Sequence, residues 1–198
     1  QETKIMEFFD KGLQLSLKGI EANNKGQFDD AKQLNKKAIE AFKEVIATDP
    51  EHKLSTSAIG HCYYEIQDFN QSKLWFEKAI ALDPGFAANH LEYGFCLLNL
   101  GMLPEGKVAI NKALEIENSP ENIDQAVFTL LDIASISYEQ GIGLSVEGDD
   151  ENALKYKEYA VAVLLTANQL DSSEQEIVDK IKLIAKDLGD EDLLKAFK

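Results

Sequence analysis

The chain has 198 residues, of which 44% are hydrophobic, so it can bury the core of one domain or one short repeat array. Its 35 acidic and 20 basic residues give a formal net charge of −15, and the basic residues are not clustered. Such a chain repels nucleic-acid phosphates and anionic membrane surfaces, which argues against nucleic acid as a partner. Its longest apolar runs, such as 160–165, are far shorter than the roughly 20 residues of a membrane-spanning helix, so we expect no membrane insertion.

The sequence begins at Gln1 rather than Met and has no apolar signal segment. Either a leader has been removed or the chain has been trimmed. We therefore expect a soluble protein, and the compartment, cytoplasmic or exported, stays open. Two cysteines are too few for the disulfide framework of a small secreted domain.

In chain order, the first feature is an apolar N-terminal stripe of Ile5, Met6, Phe8 and Phe9, which must be buried somewhere. Beyond it, apolar residues recur at a spacing close to 3.6, and no segment alternates as a strand would. Prolines follow three acidic or polar helix ends, where they separate consecutive helices. These are Pro50, Pro84 and Pro120. The chain is therefore predicted to be all helix.

A period of 34 residues is the most informative feature of the sequence. It separates Gly60 from Gly94, Cys62 from Cys96, Ala79 from Ala113, and Pro50 from Pro84. The segment from 60 to 84 resembles the tetratricopeptide repeat family, whose signature has small and aromatic residues at fixed places in two helices. Here these are Gly60 and Tyr63, then Phe69 at the turn, then Ser72, Phe76, Ala79 and Pro84.

The resemblance extends to three weaker copies and implies an all-α fold. This fold is a right-handed superhelical solenoid of antiparallel helix pairs. We predict a single domain with repeats at about 12–50, 53–84, 87–120 and 121–170, and a C-terminal cap at 171–198. The first and fourth copies need about seven extra residues, or about two turns, and in the first copy we expect them to lengthen the second helix.

The turns between helices also carry predictions. Asp149 or Asp150 is expected to cap the helix after the acidic stretch 147–151. The final long helix is expected to begin with a capping box of Ser173 and Glu176 and to end at Gly189.

The sequence offers little support for catalysis. Its three histidines lie in no HExxH or CxxC setting, and no phosphate-binding glycine pattern occurs, so we predict no metal, no cofactor and no enzyme activity. His61 and Cys62 are adjacent on a helix, point about 100° apart and cannot act as a nucleophile and base. Cys62 and Cys96 occupy equivalent repeat positions, too far apart for a disulfide, and are expected to be buried free thiols.

The resemblance also implies that the first helices of successive pairs line a concave groove that holds a peptide or a partner helix. The predicted groove residues are Ser16, Ile20, Asn23, Leu54, Ser57, His61, Tyr64, Leu91, Phe95, Leu98, Asn99, Leu131 and Tyr138. Glu65, Ser135 and Glu139 belong to the same faces. This mixed apolar and aromatic set suits a partner that anchors by apolar side chains.

A carboxylate clamp is not expected. The basic and amide positions that chaperone-tail binders use are occupied here by Ser16, Ile20, Ala58, Ala88 and Glu92. Recognition of an acidic chain terminus is therefore unexpected.

The sequence thus favours a non-enzymatic scaffold or adaptor that binds another protein, with the monomer as the favoured state. A chaperone for a secreted or membrane client, and a self-assembling structural subunit, are the alternatives. A further alternative is that the N-terminal stripe itself fills the groove. The identity of the partner does not follow from the sequence.

Overall fold

The computed structural model describes all residues from Gln1 to Lys198 and contains ten helices and no strand. The all-α prediction is confirmed. The residues form two compact units, 1–100 and 101–198. The first unit contains α1 (Glu2–Asn24), α2 (Phe28–Thr48), α3 (Lys53–Glu65), α4 (Phe69–Leu82) and α5 (Ala87–Asn99). The second contains α6 (Leu103–Ile116), α7 (Pro120–Val146), α8 (Asp150–Leu170), α9 (Gln175–Leu188) and α10 (Glu191–Ala196).

In the first unit, each helix packs against the next one along the chain, from α1 through α5. Three-residue turns join α1 to α2 and α3 to α4, so the two helices of each pair run antiparallel. The middle residue of each turn has a positive φ, 74° at Gly26 and 64° at Gln67. Glycine adopts this conformation readily, whereas Gln67 carries a side chain into a region that L-residues seldom occupy.

Helix lengths agree with the predicted insertions. The second helix of the strong copy, α4, has 14 residues, whereas α2 and α8 have 21 each. The difference is about two turns, which leaves the apolar stripe on the same face of the helix. The prediction that the extra residues of the first copy lengthen its second helix is therefore confirmed, and α8 is longer by the same amount. The single-domain organisation stays a prediction.

The core of the first unit depends on small residues that let bulky ones approach. A Cβ atom on Gly60 would lie 3.1 Å from the ring of Phe76, and one on Gly12 would lie 2.6 Å from the ring of Phe42. Both rings are fully buried. The hydroxyl of Ser72 donates to the carbonyl oxygen of Gly60 at 2.7 Å, which ties α4 to α3 at the same place.

The N-terminal stripe is part of α1. Phe9 packs against the ring of Phe42, with centroids 5.8 Å apart, and against that of His52, at 5.2 Å. Met6 remains 65% exposed. Phe9 of the stripe thus packs between the second half of α2 and the N-cap residue of α3.

The second unit is built on α7 and α8, with α9 against α8 and α10 against α9. Asp149 caps α8 by accepting from the backbone N–H of Asn152, as predicted, and α9 ends at Gly189 with φ 67°. The predicted capping box of α9 is wrong. Ser173 donates its hydroxyl to Asp171 at 2.6 Å in the preceding turn, and Glu174 caps the helix instead.

Both cysteines are buried free thiols. Cys62 Sγ lies 3.9 Å from Ser16 Oγ, and Cys96 Sγ lies 3.0 Å from Ser72 Oγ. Burial raises the pKa of each thiol to about 12, even though its serine neighbour acts in the opposite direction. The expectation of buried free thiols is confirmed.

We predict that Ala79→Leu destabilises the protein by about 1–3 kcal/mol or more, because Ala79 is only 1% exposed and a larger side chain would overpack the site. Ala81→Leu, the same substitution at an exposed position of α4, is the matched control. Denaturant unfolding measures both variants, and equal midpoints would refute the close packing at Ala79.

We also predict slow labelling of both thiols by a disulfide-exchange reagent, because the thiolate is the reacting form and neither sulfur is exposed. In guanidinium chloride the same two groups are expected to react at once. Rapid labelling of the native protein would show that the helix pairs open far more readily than the packing indicates.

Candidate partner-binding face

The first helices of the first unit, α1, α3 and α5, are joined side by side by hydrogen bonds between side chains. Four bonds link neighbouring helices: Asn23 Nδ2 to Glu65 Oε2 at 3.3 Å, Ser57 Oγ to Asn89 Oδ1 at 2.8 Å, His61 Nδ1 to Glu92 Oε1 at 2.7 Å, and Asn99 Nδ2 to Tyr64 Oη at 3.1 Å. We call the surface formed by these eight residues, with Ile20 and Leu54, the α1/α3/α5 face.

His61 lies between two carboxylates. Its Nδ1 is 2.7 Å from Glu92 on α5, and its Nε2 is 3.5 Å from Glu65, one turn further along α3. Burial lowers the pKa of His61, but the hydrogen bond to Glu92 and the charges of Glu92 and Glu65 outweigh it, so the pKa lies above its usual value of 6.5. The protonated ring can donate to both carboxylates at once, whereas the neutral ring can donate to only one.

Tyr64 is held from two sides. Its ring meets that of Phe69 edge to face, with centroids 5.3 Å apart, and its hydroxyl accepts from Asn99. The amide of Asn99 also donates to the carbonyl oxygen of Phe95 at 2.9 Å. Burial raises the pKa of the Tyr64 hydroxyl well above its ordinary range. Contacts at both its ring and its hydroxyl therefore hold the Tyr64 side chain in one position on the face.

The predicted groove residues fall into three groups by exposure. Ile20 and Leu54 are exposed, at 42% and 61%. The half-buried group consists of Ser16, Asn23, Ser57, His61, Tyr64 and Asn99. The buried group consists of Leu91, Phe95, Leu98, Leu131 and Tyr138. The apolar and aromatic residues predicted on α5 and α7 thus belong to the interior, and the accessible apolar atoms come from α1 and α3.

The second unit repeats the same side-chain arrangement between α7 and α9. Lys180 Nζ donates to Ser135 Oγ at 3.0 Å, and Tyr138 Oη donates to Asp187 Oδ2 at 2.8 Å. The two residues on α7 are three positions apart, and their partners on α9 are seven apart. His61 and Tyr64 on α3 are also three positions apart, and their partners on α5 are also seven apart. Helix α9 therefore relates to α7 as α5 relates to α3.

The roles of Lys180 and Asp187 were missed in the sequence. The sequence held a signal for the position of Lys180. Glu92 lies nine residues after Asp83, and Lys180 lies nine residues after Asp171. Both aspartates are the C-cap of the second helix of a pair. Asp187 also accepts from Lys157 Nζ at 2.9 Å, and these two partners lower its pKa. Burial, reinforced by the hydrogen bond to Asp187, raises the pKa of Tyr138 to about 12.

Other sites for chemistry are few. An open cavity of about 410 Å³ lies between α1 and α2 and carries charges of both signs, including Lys18, Lys37 and Asp30. Lys25 and Glu21 form an ion pair at its edge, 2.7 Å apart. No three His, Cys, Asp or Glu side chains are placed to hold a metal ion. None of the ten helices combines the length and hydropathy that crossing a bilayer requires.

Comparison with known proteins relates this geometry to tetratricopeptide repeats. The tetratricopeptide repeat model matches residues 57–86. A crystal structure of MamA matches all of this chain and 89% of its own, with 17% identity and a TM-score of 0.55. The MamA RS-1 ArsTM double mutant matches 95% of this chain and 90% of its own, with 13% identity and a TM-score of 0.53.

A weaker likeness is to the type III secretion translocator chaperone SycD of Yersinia enterocolitica. It covers 66% of this chain and 95% of SycD, with 18% identity and a TM-score of 0.45. No curated protein matches the chain by sequence. The 34-residue period and the antiparallel helix pairs agree with the match at 57–86, so the chain contains a tetratricopeptide repeat and has the fold of a helical-repeat protein.

Proposed function

We propose that this protein is a non-enzymatic scaffold that binds a peptide or a helix of another protein on the α1/α3/α5 face. One observation carries the proposal. Three helices are fixed to each other by four side-chain hydrogen bonds, while Ile20 and Leu54 stay exposed on the surface that they form.

The exposed residues lie next to the fixed ones. Leu54 is seven residues before His61, about two turns, so both project from the same side of α3. Ile20 lies between Ser16 and Asn23 on the side of α1 that meets α3. An incoming apolar side chain would therefore contact Ile20 or Leu54 while its backbone reaches the amides and carboxylates beside them.

The bonded network favours binding because it is already ordered. Side chains that are immobile before a partner arrives lose little conformational entropy when it binds. The polar groups also fix the orientation of the partner, because hydrogen bonds are directional and apolar contacts are not. This combination suits a defined segment of a partner better than a large flat surface.

The aromatic residues predicted for the groove have another role. Phe95 is 3% exposed, and Tyr64 is bonded to Asn99, so truncating the pair to alanine would remove core packing. A buried Phe→Ala change costs about 3–5 kcal/mol, and the double variant would therefore report on folding. Anchors for this face are expected to come from the partner.

We predict that Ile20→Gln combined with Leu54→Gln weakens capture of the partner from the source cell at least tenfold. Loss of well-placed apolar contacts commonly costs about 1 kcal/mol or more each, and 1.4 kcal/mol is about tenfold in affinity. Glutamine keeps a high helix propensity, so folding is expected to be unchanged.

Leu74→Gln is the matched control for that experiment. Leu74 is 48% exposed but lies on α4, a second helix of a pair. Partner capture is quantified against this control, with helicity and unfolding midpoint recorded for each variant. Equal capture by all variants would remove the α1/α3/α5 face as the binding surface.

The network makes stability depend on pH in a defined direction. Because folding raises the pKa of His61, its contribution to stability is fully present below 6.5 and is lost as the pH rises through the native value. We therefore predict that His61→Gln destabilises the protein more at about pH 5.5 than at about pH 8.5. Urea unfolding of both proteins at the two pH values measures this, and a larger loss at the higher pH would contradict it.

A further inference from the structure

The structure also indicates which chemistry the partner carries. Resting on the proposed function above, we infer that the bound segment presents a lysine or arginine side chain to Glu65 and Glu92, with apolar neighbours on Ile20 and Leu54. The α1/α3/α5 face would then select for a cationic residue within an apolar segment.

The first argument is that one carboxylate is incompletely satisfied. Glu92 Oε1 is bonded to His61, whereas Glu92 Oε2 contacts no other group of the protein within hydrogen-bonding distance. Both Glu65 and Glu92 are partly exposed, so solvent or a ligand can reach them. A carboxylate that is partly withdrawn from water and still has an open oxygen is a strong acceptor for a charged N–H donor.

The second argument is the shortage of cations on this face. The ion pairs of Glu65 and Glu92 are both made with His61, and neither carboxylate contacts a lysine. The chain contains no arginine at all. Even with His61 protonated, two carboxylates share one positive charge, so the cluster attracts a second cation and repels an acidic chain terminus.

The third argument is that the fold does not require this cluster. At the equivalent place in the second unit, Ser135 replaces His61 and Lys180 replaces Glu92, and side-chain hydrogen bonds still join α7 to α9. The same helix geometry therefore accepts a neutral and a positive residue. The acidic character of the first unit's face is a property of its sequence and not of its packing.

The fourth argument is that apolar and acidic groups are adjacent. Leu54 and His61 share one side of α3, and Glu65 follows one turn later. The aliphatic stem of a lysine or arginine packs on apolar surface while its charged end stays with polar partners. Ile20 lies one turn before Asn23, whose amide binds Glu65, so one side chain of the partner can cover Ile20 and reach that carboxylate. Leu54, about two turns from His61, would contact a neighbouring residue of the same segment.

Protonation of His61 would compete with such a ligand. Glu65 on α3 and Glu92 on α5 are the charged groups that face the ring, and Asn23 on α1 binds the far oxygen of Glu65. Below the pKa of His61 the imidazolium holds both carboxylates, and above it they are left to the ligand. Binding of a cationic segment is therefore expected to strengthen as the pH rises through that value.

Selection from a random 12-residue peptide library displayed on phage, using the intact chain as bait, tests the inference. We expect enriched peptides to carry a lysine or arginine beside apolar residues. For a selected synthetic peptide, replacing that residue by glutamine is expected to weaken binding to the wild-type protein about tenfold. Fluorescence polarisation measures this at low and high salt and on both sides of the His61 pKa, without any change to the protein.

Protein variants provide the complementary arm. Glu65→Gln with Glu92→Gln is expected to abolish the preference for the cationic peptide over its glutamine version. Glu40→Gln with Glu44→Gln removes the same number of charges from exposed positions of α2 and is expected to keep the preference. Peptides that lack a basic residue, or equal preference in both double variants, would overturn the inference.

The outcomes also separate this inference from the proposed function. Binding that depends on Ile20 and Leu54 but not on Glu65 and Glu92 would overturn the cation preference and leave the scaffold proposal in place. Absence of any enriched peptide, or binding that ignores Ile20 and Leu54, would overturn the scaffold proposal on this face and the inference with it.

Discussion

Close approach of the two helices in a pair is the constraint on which the other features depend. In three pairs, a glycine of the first helix faces an atom of the second that a Cβ would crowd: Gly12 against Phe42, Gly60 against Phe76, and Gly141 against Lys157. Within the first unit, α2 packs against both α1 and α3, and α4 packs against both α3 and α5, which brings the three first helices side by side at close spacing. Only at that spacing can side chains as short as Ser57 and Asn89 meet across two helices.

Much of the fold was predictable because the packing is local and repeats. The small residues that recur every 34 positions mark the contacts within a pair, and the extra two turns of α2 and α8 follow from the displacement of these residues. The capping prediction at Ser173 failed for a local reason. Its hydroxyl can bond either to a helix N–H or to the neighbouring Asp171, and sequence spacing alone does not rank the two.

The site was less predictable than the fold. Spacing indicated which residues of α3 and α5 share a side, and the bonds of His61 and Tyr64 to α5 agree with it. The accessibility of that side depends on what packs over it, and a helical period carries no information about this. Phe95 therefore lies in the interior, although its sequence position had predicted a place in the groove.

Two equivalent contacts show how a repeat fold separates geometry from specificity. The pair formed by α3 and α5 places His61 against Glu92, and the pair formed by α7 and α9 places Ser135 against Lys180, at similar distances of 2.7 and 3.0 Å. Because the glycine contacts fix the helix spacing, a residue on this face can change its charge without loss of the packing beneath it. Under the proposed function, substitution at these positions would change the attraction for a partner and leave the glycine contacts of each helix pair in place.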